Sequence, residues 1–351
     1  MLKKFNSKKE NRRTFFKRAI KVLTILMVFL ILLITCTSIY EFIASSSAKE
    51  DYPPPGKLIN VGKYNLHLHK QGQGAPTIIF ESGSGAPSSY WKEIAEKLSP
   101  NATVITYDRA GYSWSDEHVT ERTGENIVEE LHTALEKADM EKPYILVGHS
   151  IGGLYTRLFA QNYSSDVAGM VLLDARSENF SKRSDYLLEE AGLNPESFGT
   201  TPVNLVKALK TTGLLRIFKK PILGTYFNNE EELDQAVNLM FTTKMQNAIQ
   251  EENEKLYLVE EQVQNQELDN IPLTVIAKGI RSDLTGMGLS KAASEKYEDI
   301  WREEQEKLAS LSSNSKFLVA MKSGHDIAIN EPQLVVNEIN EMIARVKNNH
   351  N

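Results

Sequence analysis

Between Tyr144 and Ala160 the chain passes from an apolar run, Tyr144-Ile-Leu-Val147, through Gly148-His149-Ser150-Ile151-Gly152-Gly153 into a helical run, Leu154-Tyr-Thr-Arg-Leu-Phe-Ala160. A buried strand that becomes a helix within six residues must turn tightly. Side chains at 148 and 152 would collide with neighbouring backbone there, which is why glycine stands at both. Ser150, between them, is placed in a strained turn that projects its hydroxyl. The first N–H groups of the following helix have no partner within it and are suited to stabilise a developing oxyanion. A bare Gly-x-Ser-x-Gly recurs by chance; the strand before it and the helix after it give this one its meaning.

Short apolar runs alternate with longer amphipathic stretches through the rest of the body, which predicts an α/β fold with a mostly parallel sheet of about eight strands flanked by helices. Strands are expected at Asn65–His69, Thr77–Phe80, Val104–Tyr107, Tyr144–Val147, Met170–Leu173, Leu273–Ala277 and Phe317–Ala320, and helices at Tyr90–Leu98, Gly124–Ala138, Ile151–Gln161, Ser294–Leu311 and Pro332–Val346. Between Glu178 and Glu267 the strand signal stops, and residues 178–267 are expected to form a helical cap insertion. Within it, Leu205, Val206, Leu209, Leu214, Leu215, Ile217 and Phe218 are interleaved with Lys207, Lys210, Arg216, Lys219 and Lys220. The preferred reading is a cap helix pair whose apolar side covers the sheet, and the alternative is contact with an anionic membrane surface.

A serine hydroxyl needs a base to act as a nucleophile at neutral pH. Of the seven histidines, His67 and His69 read as a solvated hairpin face, His118 and His132 as polar loop and helix residues, and His350 as tail. His149 reads as packing, pointing away along the turn. His325 follows the last expected strand, in Lys322-Ser-Gly-His-Asp326, at the sheet edge where Ser150 also emerges. It is the candidate general base.

From about Lys57 to Lys347 the sequence resembles the α/β-hydrolase fold superfamily, in its capped esterase/lipase-like branch. Glu81-Ser-Gly-Ser-Gly85 with Tyr90-Trp91 is similar to the loop after the third strand, and Asp108-Arg-Ala-Gly-Tyr-Ser-Trp-Ser115 resembles the family's Asp-x-x-Gly-x-Gly-x-Ser turn. The turn at 148–152 and Ser323-Gly-His325 complete the set in family order. Ser82 stands where the family often has histidine, and Ser113 where the turn often has glycine. The resemblance implies backbone oxyanion donors at Ser84 and Ile151. It also implies an acid between Ser150 and His325 in the chain, and two positions fit. Asp174 closes the strand Met170–Leu173 and is preferred. Asp283, after Leu273–Ala277, is the alternative, one residue further from Gly279 than the common spacing. Asp326 reads as a cap or a surface charge.

The first 21 residues carry nine basic side chains and one acidic, leaving 31 basic and 45 acidic residues, net −14, downstream. A body so acidic excludes nucleic acid as a partner. Lys21 and Glu41 bracket 19 uncharged residues, which at about 1.5 Å each nearly match a hydrocarbon core of roughly 30 Å. The expected organisation is a basic cytoplasmic segment 1–21, a transmembrane anchor 22–40, a linker 41–56 that ends in Pro53–Gly56, and a hydrolase domain 57–347 outside the membrane. Cleavage near Ser46–Ala48, giving a secreted protein, is the competing reading. A single cysteine, Cys36, excludes a disulfide framework. No cofactor and no metal site is expected, since neither ligand spacing nor a phosphate loop is present. The expected activity is hydrolysis of a carboxylic ester or related acyl bond, with a small, apolar acyl substrate and an unassigned oligomeric state. A tethered, non-catalytic binding or sensing module is the alternative, and acyl-transfer, peptidase and perhydrolase chemistry share the same residues.

Overall fold

The computed structural model describes residues 2–199, 202–224 and 229–349, which leaves His350 outside the described residues. The strands are β1 (Lys57–Asn60), β2 (Asn65–Gln71), β3 (Thr77–Glu81), β4 (Thr103–Asp108), β5 (Tyr144–His149), β6 (Val167–Leu173), β7 (Leu273–Lys278) and β8 (Ser315–Ala320). The helices are α1 (Leu2–Asp51), α2 (Lys92–Leu98), α3 (Gly124–Lys137), α4 (Gly152–Asn162), α5 (Phe180–Glu190), α6 (Val203–Thr211), α7 (Leu214–Ile217) and α8 (Lys219–Leu223). After them come α9 (Glu230–Leu239), α10 (Thr243–Glu254), α11 (Leu256–Gln262), α12 (Lys291–Leu308), α13 (Ile327–Asn330) and α14 (Pro332–Asn349).

By contact the chain divides into two compact units, residues 54–203 with 242–351, and residues 1–53 with 204–241. The larger unit holds one eight-stranded sheet in the order β1-β2-β4-β3-β5-β6-β7-β8. The β1–β2 and β2–β4 pairs are antiparallel and the rest parallel. Strands β3 to β7 are buried along almost their whole length, as a sheet covered on both faces demands. Alternation divides their side chains between two cores. Ile78 and Phe80 join Trp91, Val335 and Ile339 on one face, and Ile79 joins Leu131, Leu154 and Tyr155 on the other. Register then sets the functional edge: His149 pairs with Leu173 and Leu173 with Ile276, so Ser150 and Asp174 leave adjacent strand ends.

The smaller unit contains α1 and α6 to α9. Leu215, Leu223, Leu233 and Val237 form its apolar centre. Helix α1 contains an apolar stretch, Thr14–Ala48, long enough to cross a bilayer.

Three expectations need correction. The helix runs on through Ser45–Ser47 to Asp51, so the extended spacer is much shorter than 41–56; nothing breaks the helix until Pro53–Pro55. The insertion is helical as read, but residues 204–241 group with the N-terminal helix and only its flanks group with the sheet. The basic stretch is therefore not part of one cap with α5, α10 and α11. Finally, His67 is no solvated residue. It is fully buried, with Nδ1 2.8 Å from Asp108 Oδ2.

Candidate active site

Ser150 sits between β5 and α4 with φ +55°, a left-handed conformation seldom adopted by residues with a Cβ. The turn closes because Gly152 lies against the β3 loop: a Cβ there would meet Glu81 O at 2.5 Å and Ser82 O at 2.7 Å. Ser150 N–H donates to Leu173 O at 3.2 Å, and Arg176 N–H donates to Ser150 O at 2.9 Å, which ties the turn to the end of β6.

Asp174, also at positive φ (+39°), begins the segment after β6 and is fully buried. Its Oδ2 lies 2.6 Å from His325 Nδ1. Its Oδ1 accepts the Trp301 indole N–H at 2.9 Å and the Lys278 backbone N–H at 3.1 Å. Burial alone would raise this carboxyl; the His325 bond and charge, then Lys278 and Trp301, hold it below the ordinary value of 3.8 instead. Asp283 is elsewhere in character. It is exposed in a turn and accepts from Thr285 N and Oγ1 at 3.0 and 2.7 Å, which lowers its pKa. The structure brings His325 to Asp174 and not to Asp283.

His149 is not mere packing pointing away. Its ring lies 4.6 Å from that of His325 and stacks on Tyr90 at 5.2 Å. Nε2 is 3.0 Å from the His325 carbonyl, and because a carbonyl only accepts, Nε2 carries the proton. Nδ1 has no partner among the described residues. Burial, then the nearby His325, pushes the pKa of His149 down to about 3, so the ring is neutral.

The loop after β3 comes close on the other side, where a Cβ on Gly83 would lie 3.1 Å from Ser150 Cβ. Neither the Ser84 N–H nor the Ile151 N–H donates to a protein acceptor among the described residues. Arg109 fixes this loop. One guanidinium nitrogen donates to Glu81 Oε1 at 2.6 Å and Ser82 O at 2.7 Å, and the other reaches Gly83 O at 3.0 Å. Since the Gly83–Ser84 peptide is trans, holding its carbonyl turns the Ser84 N–H away from the guanidinium. Glu252 of α10 braces Arg109 through Nε and Nη2, both at 3.1 Å, and accepts Tyr112 Oη at 2.7 Å. Burial opposes the charge of Arg109, but Glu252, Tyr112 and Glu81 outweigh it and raise the pKa well above the guanidinium's ordinary value. Ser82, at the family's histidine position, accepts the Trp91 indole N–H at 2.9 Å. Ser113, at the family's glycine position, takes φ +37°.

Sequence reasoning missed Trp301, Arg109, Glu252 and the bond from His149. Arg109 and His149 lay inside motifs already singled out. Trp301 and Glu252 lie on ordinary amphipathic helices, with no local signal of their contacts. One acidic cluster unremarked in the sequence, His132 with Glu136 and Asp166, has a geometry suited to a metal. Lys142 Nζ already bonds both carboxylates, at 2.6 and 2.9 Å.

Comparison with known proteins agrees with this architecture. A family model described as alpha/beta hydrolase fold matches residues 76–210. Uncharacterized protein YqjL of Bacillus subtilis is 28% identical over 267 residues, 76% of this chain and 83% of that protein. An AB hydrolase superfamily protein of Gibberella zeae is 26% identical over 297 residues, 78% of this chain and 87% of that one. Among solved structures, a thermophilic esterase from Thermogutta terrifontis superposes with a TM-score of 0.56 at 19% identity, covering 83% of this chain and 98% of the esterase.

Proposed function

Since the chain is an α/β-hydrolase-fold protein, we propose that it is a serine hydrolase that cleaves a carboxylic ester or related acyl bond through an acyl-enzyme. The observation that carries this reading is the His325–Asp174 pair, 2.6 Å apart, at the sheet edge where the left-handed Ser150 turn emerges. Asp174 holds Nδ1–H, which leaves Nε2 as the nitrogen available to accept a proton. In the reaction His325 Nε2 takes the Ser150 hydroxyl proton as Oγ attacks the acyl carbon. The oxyanion is met by the N–H groups of Ser84 and Ile151, each donor of this type being worth roughly 10²–10³ in rate. The imidazolium then protonates the leaving alcohol, and water, activated by the same imidazole, releases the acid.

The same reading extends to the N-terminus: α1 is a retained single-pass anchor, its basic end inside and the hydrolase domain outside. Retention is supported by Glu41, whose buried carboxylate pairs with Lys210 at 2.6 Å and Arg216 at 2.7 Å. Cleavage after residue 48 would strip two buried cations of their counter-charge.

A fluorophosphonate probe tests the chemistry. Labelling is expected at Ser150 in the wild type and lost in His325→Ala. Asp174→Asn is expected to slow ester turnover about 10³–10⁴-fold, while Asp283→Asn stays within about twofold on the same principle that a surface turn residue contributes little. A folded protein that binds acyl ligands yet resists the probe would assign the chain to the non-catalytic binding class. A p-nitrophenyl ester series of rising chain length then reads the acyl preference.

A further inference from the structure

The geometry points to a lipid-facing platform: we propose that α6 to α8, residues 203–223, lie on the headgroup region of an anionic bilayer, on the side of the membrane to which α1 leads. The inference rests on the reading of α1 as a retained anchor and adds a second element to its membrane contact. Three observations carry it. The first is position. Within their unit, Thr37 Oγ1 donates to Thr212 O at 2.6 Å, and Gly213, at φ +74°, packs so closely on the Thr37 carbonyl that a Cβ would collide with it. Glu41 adds its bonds to Lys210 and Arg216. These contacts all fall at the last turn of the uncharged run that ends at Tyr40, where a spanning helix leaves the hydrocarbon.

The second is surface chemistry. Leu205, Ile217, Phe218 and Ile222 are 40 to 55% exposed within 18 residues, more apolar surface than a short water-facing segment ordinarily presents. One turn beyond Tyr40 on α1, Phe42 and Ile43 are 74% and 62% exposed, so the apolar surface of α1 continues at the level of the platform. The third is charge. Residues 203–223 hold five basic side chains and no acidic one; Lys210 and Arg216 are buried on Glu41 and Lys219 bonds Asp234, which leaves the half-buried Lys207 and the exposed Lys220 as the cations at the surface beside the apolar side chains. Apolar side chains that enter the acyl boundary with lysines beside them are what anionic headgroups attract.

The test uses the full chain in a Cys36→Ser background, reconstituted in nanodiscs of phosphatidylcholine with phosphatidylglycerol. A nitrobenzoxadiazole label is placed singly at Phe218→Cys, Ile222→Cys or, inside the span, Phe29→Cys. In discs carrying a lipid with a nitroxide near the headgroup end of its acyl chain, emission from 218 and 222 is expected to fall at least twofold relative to discs without it. The effect is expected to weaken when phosphatidylglycerol is omitted. Quenching at 29 without quenching at 218 and 222 overturns the platform and leaves the anchor standing. No quenching at 29, with a nitroxide placed mid-chain, overturns the anchor reading and the platform with it. Energy transfer between labels at 218 that grows with protein density, without nitroxide quenching, assigns the face to a second copy of the chain and also overturns the proposal.

Discussion

At the scale of single residues, the site depends on side chains that act through others. His149 donates to the carbonyl of His325, and burial keeps its ring neutral, with a pKa pushed down to about 3 from 6.5. Between those two values the unfolded chain binds a proton that the folded one refuses. Stability is therefore complete above about pH 6.5 and declines as pH falls toward 3, with a slope of at most about 1.4 kcal/mol per pH unit for one group. Asp174 has the opposite chemistry but the same sign: its depressed value stabilises above 3.8 and is lost only below the folded value. Burial also lowers the pKa of His69, so His149 is isolated by comparing how denaturant midpoints change between pH 7.5 and 5 in the wild type and in His149→Gln. The decline is expected to be steeper in the wild type than in His149→Gln, and equal slopes would show that the folded ring takes a proton. Arg109 is a positioning residue for the Ser84 N–H. Arg109→Lys retains charge but not the two-nitrogen grip on the Ser82 and Gly83 carbonyls. It is expected to lower kcat by roughly 10²-fold, the worth of one oxyanion donor, with KM nearly unchanged. Preference for an ester over its thionoester analogue is expected to shrink in parallel, which a purely structural loss would leave unaltered.

At the scale of elements, the turn from β5 to α4 works because two backbones touch. The methyl of Gly152→Ala would be driven against the Glu81 and Ser82 carbonyls at the end of β3. The turn must shift, and with it the Ser150 hydroxyl. Overpacking of this kind costs about 1–3 kcal/mol, so the variant is expected to fold with a lowered Tm and to lose fluorophosphonate labelling. Retained labelling at wild-type rate would mean that the strained turn is not needed to present the serine. Helix α10 reaches the loop after β3 through a side-chain relay. Its Glu252 braces Arg109, which in turn holds the loop after β3.

At the scale of the whole molecule, the N-terminal helix groups with residues 204–241 in one compact unit, and on the proposed reading it is retained as an anchor. The ionic contact of Glu41 with Lys210 and Arg216 joins positions some 170 residues apart in sequence. Breaking a buried pair by removal of one partner costs several kcal/mol, on the order of 3–5. Mass spectrometry of the membrane fraction is expected to find the chain intact from its N-terminus, with protease added outside cutting only residues beyond the span. A soluble species beginning near residue 49 would refute the anchor.

The sequence by itself determined the parts that are local in the chain. Short apolar runs marked seven of the eight described strands and longer amphipathic stretches the principal helices, and the glycine-flanked Ser150 turn was recognisable because its steric demand falls on adjacent residues. His325 was placed by its position after the last strand, and the 19-residue uncharged run by length alone. Tertiary structure decided what depends on residues far apart meeting. It separated Asp174 from Asp283, because Asp174 leaves β6 buried against the His325 ring whereas Asp283 lies in an exposed turn bonded to Thr285. It turned His67 from a surface residue into a buried partner of Asp108, since a hairpin strand's pattern cannot reveal what covers it. It also withdrew residues 204–241 from the expected cap and joined them to α1, because an amphipathic helix records that it has an apolar face but not which surface that face will meet.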